Sequence, residues 1–306
     1  MHVLIPYAIS DEAAARALLR PLQLPHLQAL LQTRRSQPAL DLPADSPISA
    51  HEHLQAQALG LDPQAPAWAA LRAHELGLSG AGEKAWSFLT PCHWEPGQTR
   101  VTLRDPQALD LHEDESRALL AAMQPYFAED GLALHYEQPL RWLVSGEPLR
   151  GLATAMPGRV IGRNVAPWLP ASPLLRRLQN EMQMLLYTHA VSEARAERGA
   201  LAVNSLWFGG SGALAAMPAP AQELLVFDDL AQPAVRGDWA AWAQAWPALD
   251  ARLEAVQRAH ETGQPVTLTL CSELSATRYA PAPRGLLTRL RQRLRPIRLS
   301  DILVAA

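Results

Sequence analysis

Residues 201–212 read Leu-Ala-Val-Asn-Ser-Leu-Trp-Phe-Gly-Gly-Ser-Gly. The apolar run predicts a short strand over 201–208, and that strand meets three glycines within four residues. Backbone without side chains lets another group approach closely. That group is either a ligand held by the N–H groups or another part of the chain packed on a glycine bulge. Upstream, Leu174, Leu175, Leu178, Met182, Leu185 and Leu186 repeat at helical spacing and predict a helix over 174–188. A helix feeding such a strand already mixes α and β structure within one stretch.

The rest of the chain alternates in the same way. Strands are expected at 2–7, 84–90, 99–104, 132–136, 140–145, 223–227, 266–270 and 275–279, with 84–90 paired to 99–104. Helices are expected at 11–20, 25–32, 50–60, 65–77, 114–129 and 237–260, several closed by glycine. Residues 36–49 and 151–173 are rich in proline and read as loops. The fold class expected is α/β (or α+β), a mixed β-sheet with helices packed around it and an Arg-rich C-terminal helix. No strong linker interrupts the 306 residues, so 1–306 reads as a single globular unit, or as halves 1–145 and 146–306.

Hydrophobic residues make up 48% and charged residues 19%, which is globular composition. The net charge of −3 exerts no global pull toward nucleic acid or membrane. No apolar run approaches the roughly 20 residues that span a bilayer. The start of the chain lacks a signal-peptide pattern, and Cys92 and Cys271 form no disulfide framework. A cytoplasmic protein without membrane contact is the expectation.

Charge is locally uneven. Residues 276–300 carry seven arginines and no acid. Arg284, Arg289, Arg291, Arg293 and Arg295 are candidates for contact with a polyanion, nucleic acid or an acidic partner, set against leucines 286, 290 and 294. Asn180, Glu181 and Gln183 lie beside the apolar stripe of the 174–188 helix. A partly buried Glu181 needs donors, and Trp207 Nε1 is one candidate. Asn204, Ser205, Trp207, Gly209, Gly210 and Gly212 form the candidate ligand end of the strand. Trp239, Trp242 and Trp246 share one face of the 237–260 helix and read as core.

The segments Asn180-Glu181-Met182-Gln183-Met184-Leu185-Leu186 and Asn204-Ser205-Leu206-Trp207-Phe208-Gly209-Gly210 resemble a proteobacterial family described as phosphoglycerate mutase-like or RpfE-type regulatory proteins. Thr90-Pro91-Cys92-His93-Trp94, Pro139-Leu140-Arg141-Trp142 and Leu294-Arg295-Pro296 match further blocks of it in order, from about Ala50 onward. The glycines depart from the family's three in a row. The resemblance adds Arg141 to the candidate ligand-binding set. It also suggests comparison with the cofactor-independent phosphoglycerate mutases, whose superfamily uses two divalent ions and a Ser or Thr nucleophile. Those enzymes carry an Asp at the end of the first strand and later Asp-His pairs. Here the first strand ends Pro6-Tyr7-Ala8, and no Asp-His dipeptide occurs. No metal site, cofactor or catalytic residue is therefore expected, and Cys92 beside His93 does not read as an activated pair. Two functions stand side by side. One is a non-catalytic regulatory or interaction protein with a ligand or partner cleft around 180–212, its partner a protein or a small phosphorylated ligand. The other is a phosphoglycerate mutase-like enzyme acting on phosphomonoesters.

Overall fold

The computed structural model describes residues 1–32, 34–218, 223–281 and 298–304. The chain forms two compact units, Met1–Ala58 with Pro220–Ala306, and Leu59–Ala219. The second is an insertion within the first.

The first unit opens with β1 (His2–Ile5), α1 (Ala13–Leu19), α2 (Pro25–Gln32), β2 (Arg34–Asp41) and α3 (Ala50–Leu59). All four residues of β1 are buried, as expected of a strand covered on both faces. Val3 and Ile5 join the core under α1 and α2, while Leu4 packs with Ala50 and Leu54 of α3 on the opposite face.

The chain then builds the second unit: α4 (Trp68–Glu75), β3 (Trp86–Cys92), β4 (Trp94–Pro96), β5 (Val101–Leu103), α5 (Glu113–Glu129), β6 (Ala133–Gln138), β7 (Arg141–Ser145), α6 (Pro173–Thr188), α7 (Ala190–Glu197) and β8 (Ser205–Gly212). It returns to the first unit with β9 (Leu224–Val226), α8 (Ala231–Val235), α9 (Trp239–Glu261), β10 (Thr267–Cys271) and β11 (Ser275–Pro281).

The first unit's sheet has the order β2-β11-β10-β1-β9. β1 runs parallel to β9 and β10, while β11 is antiparallel to β10 and β2. The sheet is therefore mixed, as the α/β reading requires. Trp242 and Trp246 of α9 are fully buried and meet edge to face, 5.6 Å apart between ring centroids. Trp239 packs at the rim of the same core. The buried Asp250 carboxylate on α9 accepts from the N–H groups of His26 and Leu27 at 3.3 and 2.8 Å. It thus satisfies donors that the first turn of α2 leaves free.

The second unit holds an antiparallel sheet of order β6-β7-β3-β8 and a separate β4-β5 ribbon. Leu119, Met123 and Phe127 of α5 and Leu175, Leu178, Met182 and Leu186 of α6 form one core against it. Each such side chain contributes ~1.5–3 kcal/mol by leaving water.

Two sequence expectations are corrected here. Residues 84–90 and 99–104 do not pair: β3 is a fully buried inner strand between β7 and β8, and β5 pairs with β4. Residues 34–41 are a strand and not a loop. β2 lies at the sheet edge, where Pro38 is tolerated because its missing N–H faces no neighbour, and the register slips opposite it. The Arg-rich helix expected at 284–295 lies outside the described residues. Among the described residues, no helix is long and apolar enough to cross a membrane.

Candidate functional site

The 174–188 helix does pack on the strand that follows it, through amides other than Asn180. β8 is an edge strand, so its outer carbonyls need donors from outside the sheet. Gln179, 3% exposed, donates from Nε2 to Leu206 O at 2.6 Å, and Gln183 Nε2 reaches Ser205 Oγ at 3.1 Å. Both lie on the phase of Leu175, Leu178, Met182 and Leu186. One residue on, Asn180 falls on the exposed face. Glu181 pairs with Arg177 at 3.2 Å, and Arg177 also holds Asp130 at 2.5 Å. The expected bond between Glu181 and Trp207 is absent. Trp207 Nε1 instead donates to Ala155 O at 2.8 Å, because Trp207 points into the opposite core with Cys92, Leu103 and Val160.

The glycines face more of the chain itself. β8 extends through them to Gly212, and three of its steps oppose two on β3 between Trp86 and Phe88. This is a β-bulge, with Gly210 at φ +59° supplying the left-handed residue. A Cβ on Gly209 would sit 3.2 Å from Ala155 O, one on Gly210 3.0 Å from Trp68 Cβ, and one on Gly212 2.9 Å from Ala67 Cβ. Behind them runs a buried chain of hydroxyls: Thr154 donates to Ser211 at 2.8 Å, Ser211 to Ser87 at 2.8 Å, and Ser87 to Gly209 O at 3.2 Å. Asn204 is equally occupied. Its Nδ2 donates to Trp94 O at 2.9 Å and its Oδ1 accepts from Trp94 N–H at 2.7 Å, clamping the start of β4.

Arg141 grips Glu137 with two bonds of 2.8 and 2.6 Å, and Arg72 approaches the same carboxylate at 2.9 Å. Burial pushes the Glu137 carboxyl up, but the hydrogen bonds from Arg141 and Arg72 outweigh it and hold it below the usual range. No contact joins Arg141 to Glu181 or Asn204 among the described residues. Cys92 is fully buried, and burial pushes its thiol well above the ordinary value, the reverse of an activated nucleophile.

A second constellation escaped the sequence reading. In open α/β sheets, the carboxyl ends of the parallel strands are the usual place for ligands. At that end of β1, Tyr7 holds φ +54°, a strained value for a bulky residue. Its ring stands 5.4 Å from His51, and its carbonyl accepts from Trp242 Nε1 at 2.9 Å. Ser49 Oγ lies 2.8 Å from His51 Nδ1 and 2.7 Å from Glu52 Oε2, and Ser49 N–H donates to the same oxygen at 2.8 Å. The hydroxyl has one hydrogen. Given to Glu52, it makes His51 Nδ1–H a donor to Ser49, so His51 is not a base toward it. Ser49-Ala50-His51-Glu52 has Ser and Glu in capping-box spacing at the start of α3, and Ser49 is 1% exposed. That spacing was the signal available in the sequence.

The residues present do not fit a two-metal centre. The first strand ends without a carboxylate, and among the described residues no group of three or more His, Cys, Asp or Glu is placed to hold an ion.

No protein-family model matches the chain, and no curated protein matches it. Among solved structures, it is similar to the cofactor-independent phosphoglycerate mutase from Thermoplasma acidophilum, at 14% identity over 99% of this chain and 98% of the other, with a TM-score of 0.41. It is also similar to the PH0037 protein from Pyrococcus horikoshii, at 12% identity over 99% and 95% of the two chains, with a TM-score of 0.47.

Proposed function

We propose that this chain is a non-catalytic regulatory or interaction protein of the RpfE-type kind, acting in the cytoplasm. The observation that supports this most is the internal use of its polar groups. Asn204, Gln183 and Trp207 are bonded within the protein, and Gly209, Gly210 and Gly212 are packed against Ala155, Met156, Trp68 and Ala67. Ser49, whose hydroxyl touches His51, is a buried helix cap. Nothing in that set is free to attack phosphorus or to steady a leaving oxygen.

A partner surface is the natural use of what remains exposed. Met184 and Tyr187, 71% and 84% exposed, stand one turn apart on α6, whose other face is bonded to β8. Asn180 and Glu181 lie on the preceding turn. In this reading Arg284, Arg289, Arg291, Arg293 and Arg295 supply a separate contact for an acidic partner or polyanion, and a small phosphorylated ligand is the alternative occupant.

One observation favours a phosphoglycerate mutase-like enzyme instead: the Ser49 hydroxyl already touches His51 and Glu52. Incubation with 3-phosphoglycerate and Mn²⁺ separates the two. We expect no 2-phosphoglycerate. Turnover above about 1 s⁻¹, the low end for ordinary enzymes, abolished by Ser49→Ala, would establish the enzyme.

A further inference from the structure

We infer that the first unit carries a binding site for a small organic acid, in the cleft beside Arg34. This goes beyond the proposed function and holds whether or not the chain is an enzyme. The cleft encloses about 430 Å³, within the range of small-molecule sites. Arg34, Thr277, Tyr279 and Asp301 give it a polar wall, and Leu31 and Ile302 give it an apolar one.

Arg34 is the reason to expect an anion. It is 5% exposed at the start of β2. Its Nη1 donates to Leu30 O, its Nη2 reaches Val266 O at 3.5 Å, and its buried Nε has no partner among the described residues. No carboxylate stands within ion-pair distance of it among the described residues. Burial lowers its pKa to about 10, so it is still a cation at neutral pH. The second unit shows the alternative arrangement: Arg195, fully buried, faces Glu115 at 2.7 Å. A buried guanidinium without such a partner carries an uncompensated desolvation cost. An anion bound in the cleft removes it.

The remaining wall sets the chemistry of the ligand. An oxyanion group, carboxylate or phosphate, matches the guanidinium fork. Thr277 and Tyr279 offer hydroxyl donors to it, and burial raises Tyr279 to about 12, which keeps the phenol protonated. Asp301 accepts from a hydroxyl or ammonium on the ligand and repels a second negative charge. Leu31 and Ile302 cover a short carbon skeleton. A hydroxy or amino acid with one negative charge fits this wall best.

Titration calorimetry of the full chain at low salt, with glycerate, 3-phosphoglycerate and inorganic phosphate in separate arms, tests the site. Saturable binding at one site is expected, tightest for glycerate. Arg34→Gln should weaken it at least tenfold, and Tyr279→Phe by a few fold. Asp301→Asn should shift the preference toward 3-phosphoglycerate. Absence of saturable binding in all three arms overturns the inference, as does binding unchanged by Arg34→Gln. Should Arg34→Gln fail to fold, Tyr279→Phe and Asp301→Asn carry the test, and unchanged affinities in both overturn it.

Discussion

Replacing Arg195 with methionine should destabilise the second unit by about 3–5 kcal/mol, the usual cost of leaving one member of a buried ion pair alone. Arg195 is fully buried, and its fork is held by one carboxylate and two carbonyls. Nη1 meets Glu115 Oε2 at 2.7 Å, Nε and Nη2 donate to Leu201 O at 3.0 and 2.8 Å, and Nη2 also bonds Leu109 O. It therefore ties α7 and the approach to β8 to the first turn of α5. Glu115 receives Arg198 and the His112 N–H as well. Methionine fills much of the space but leaves the Glu115 carboxylate and two carbonyls short of donors.

The same cluster sets a pH dependence. Burial pushes the Glu115 carboxyl up, but Arg198, the His112 N–H and Arg195 together hold it below the usual carboxylate range. A depressed carboxylate contributes stability that is present above its unfolded value, about 4.3, and is lost as pH falls through the folded value. Urea unfolding at pH 7 and at pH 3 should show the difference between wild type and Arg195→Met shrinking at the lower pH. A difference within 1 kcal/mol at pH 7 would show that the pair is not structural.

Gly210→Ala should be the other large loss. A left-handed backbone at φ +59° costs a non-glycine residue about 1–3 kcal/mol. The new methyl would also press Trp68 Cβ at 3.0 Å and Met156 Sδ at 3.2 Å, and overpacking typically costs about 1–3 kcal/mol more. Phe88 Cδ2 at 3.4 Å closes the remaining side. If the glycines instead cradled a ligand, the alanine would find open space, and the variant would fold normally while losing affinity. Melting temperature and ligand affinity, measured on the same variant, tell these apart.

Much of the architecture was legible because periodicity carries it. The α2 limits, the α5 helix and the β10–β11 hairpin all follow from apolar spacing and nearby turn residues. The errors have physical causes. β8 starts at Ser205 and includes the glycines, because a bulge lets glycine stay in a ladder that composition alone reads as a break. β2 read as a loop because an edge strand needs neither apolar alternation nor a proline-free backbone. On α6, the polar residues bonded to β8 are set by helical phase, and the choice between Gln179 and Asn180 is a rotation of one residue. The Ser49–Glu52 cap lay in plain spacing, but its link to Tyr7 joins residues about forty positions apart through the fold of the first unit.

The central claim is that the strand ending Gly209-Gly210-Ser211-Gly212 is architecture and not a phosphate cradle. Nuclear magnetic resonance of the glycine amides tests it most directly. During titration with 3-phosphoglycerate and then inorganic phosphate, the amide signals of Gly209, Gly210 and Gly212 should stay in place, and Gly210 N–H, bonded to Thr154 O at 3.2 Å, should exchange slowly throughout. Saturable shifts of these three signals, with protection from exchange that appears only when the ligand is present, would contradict the account.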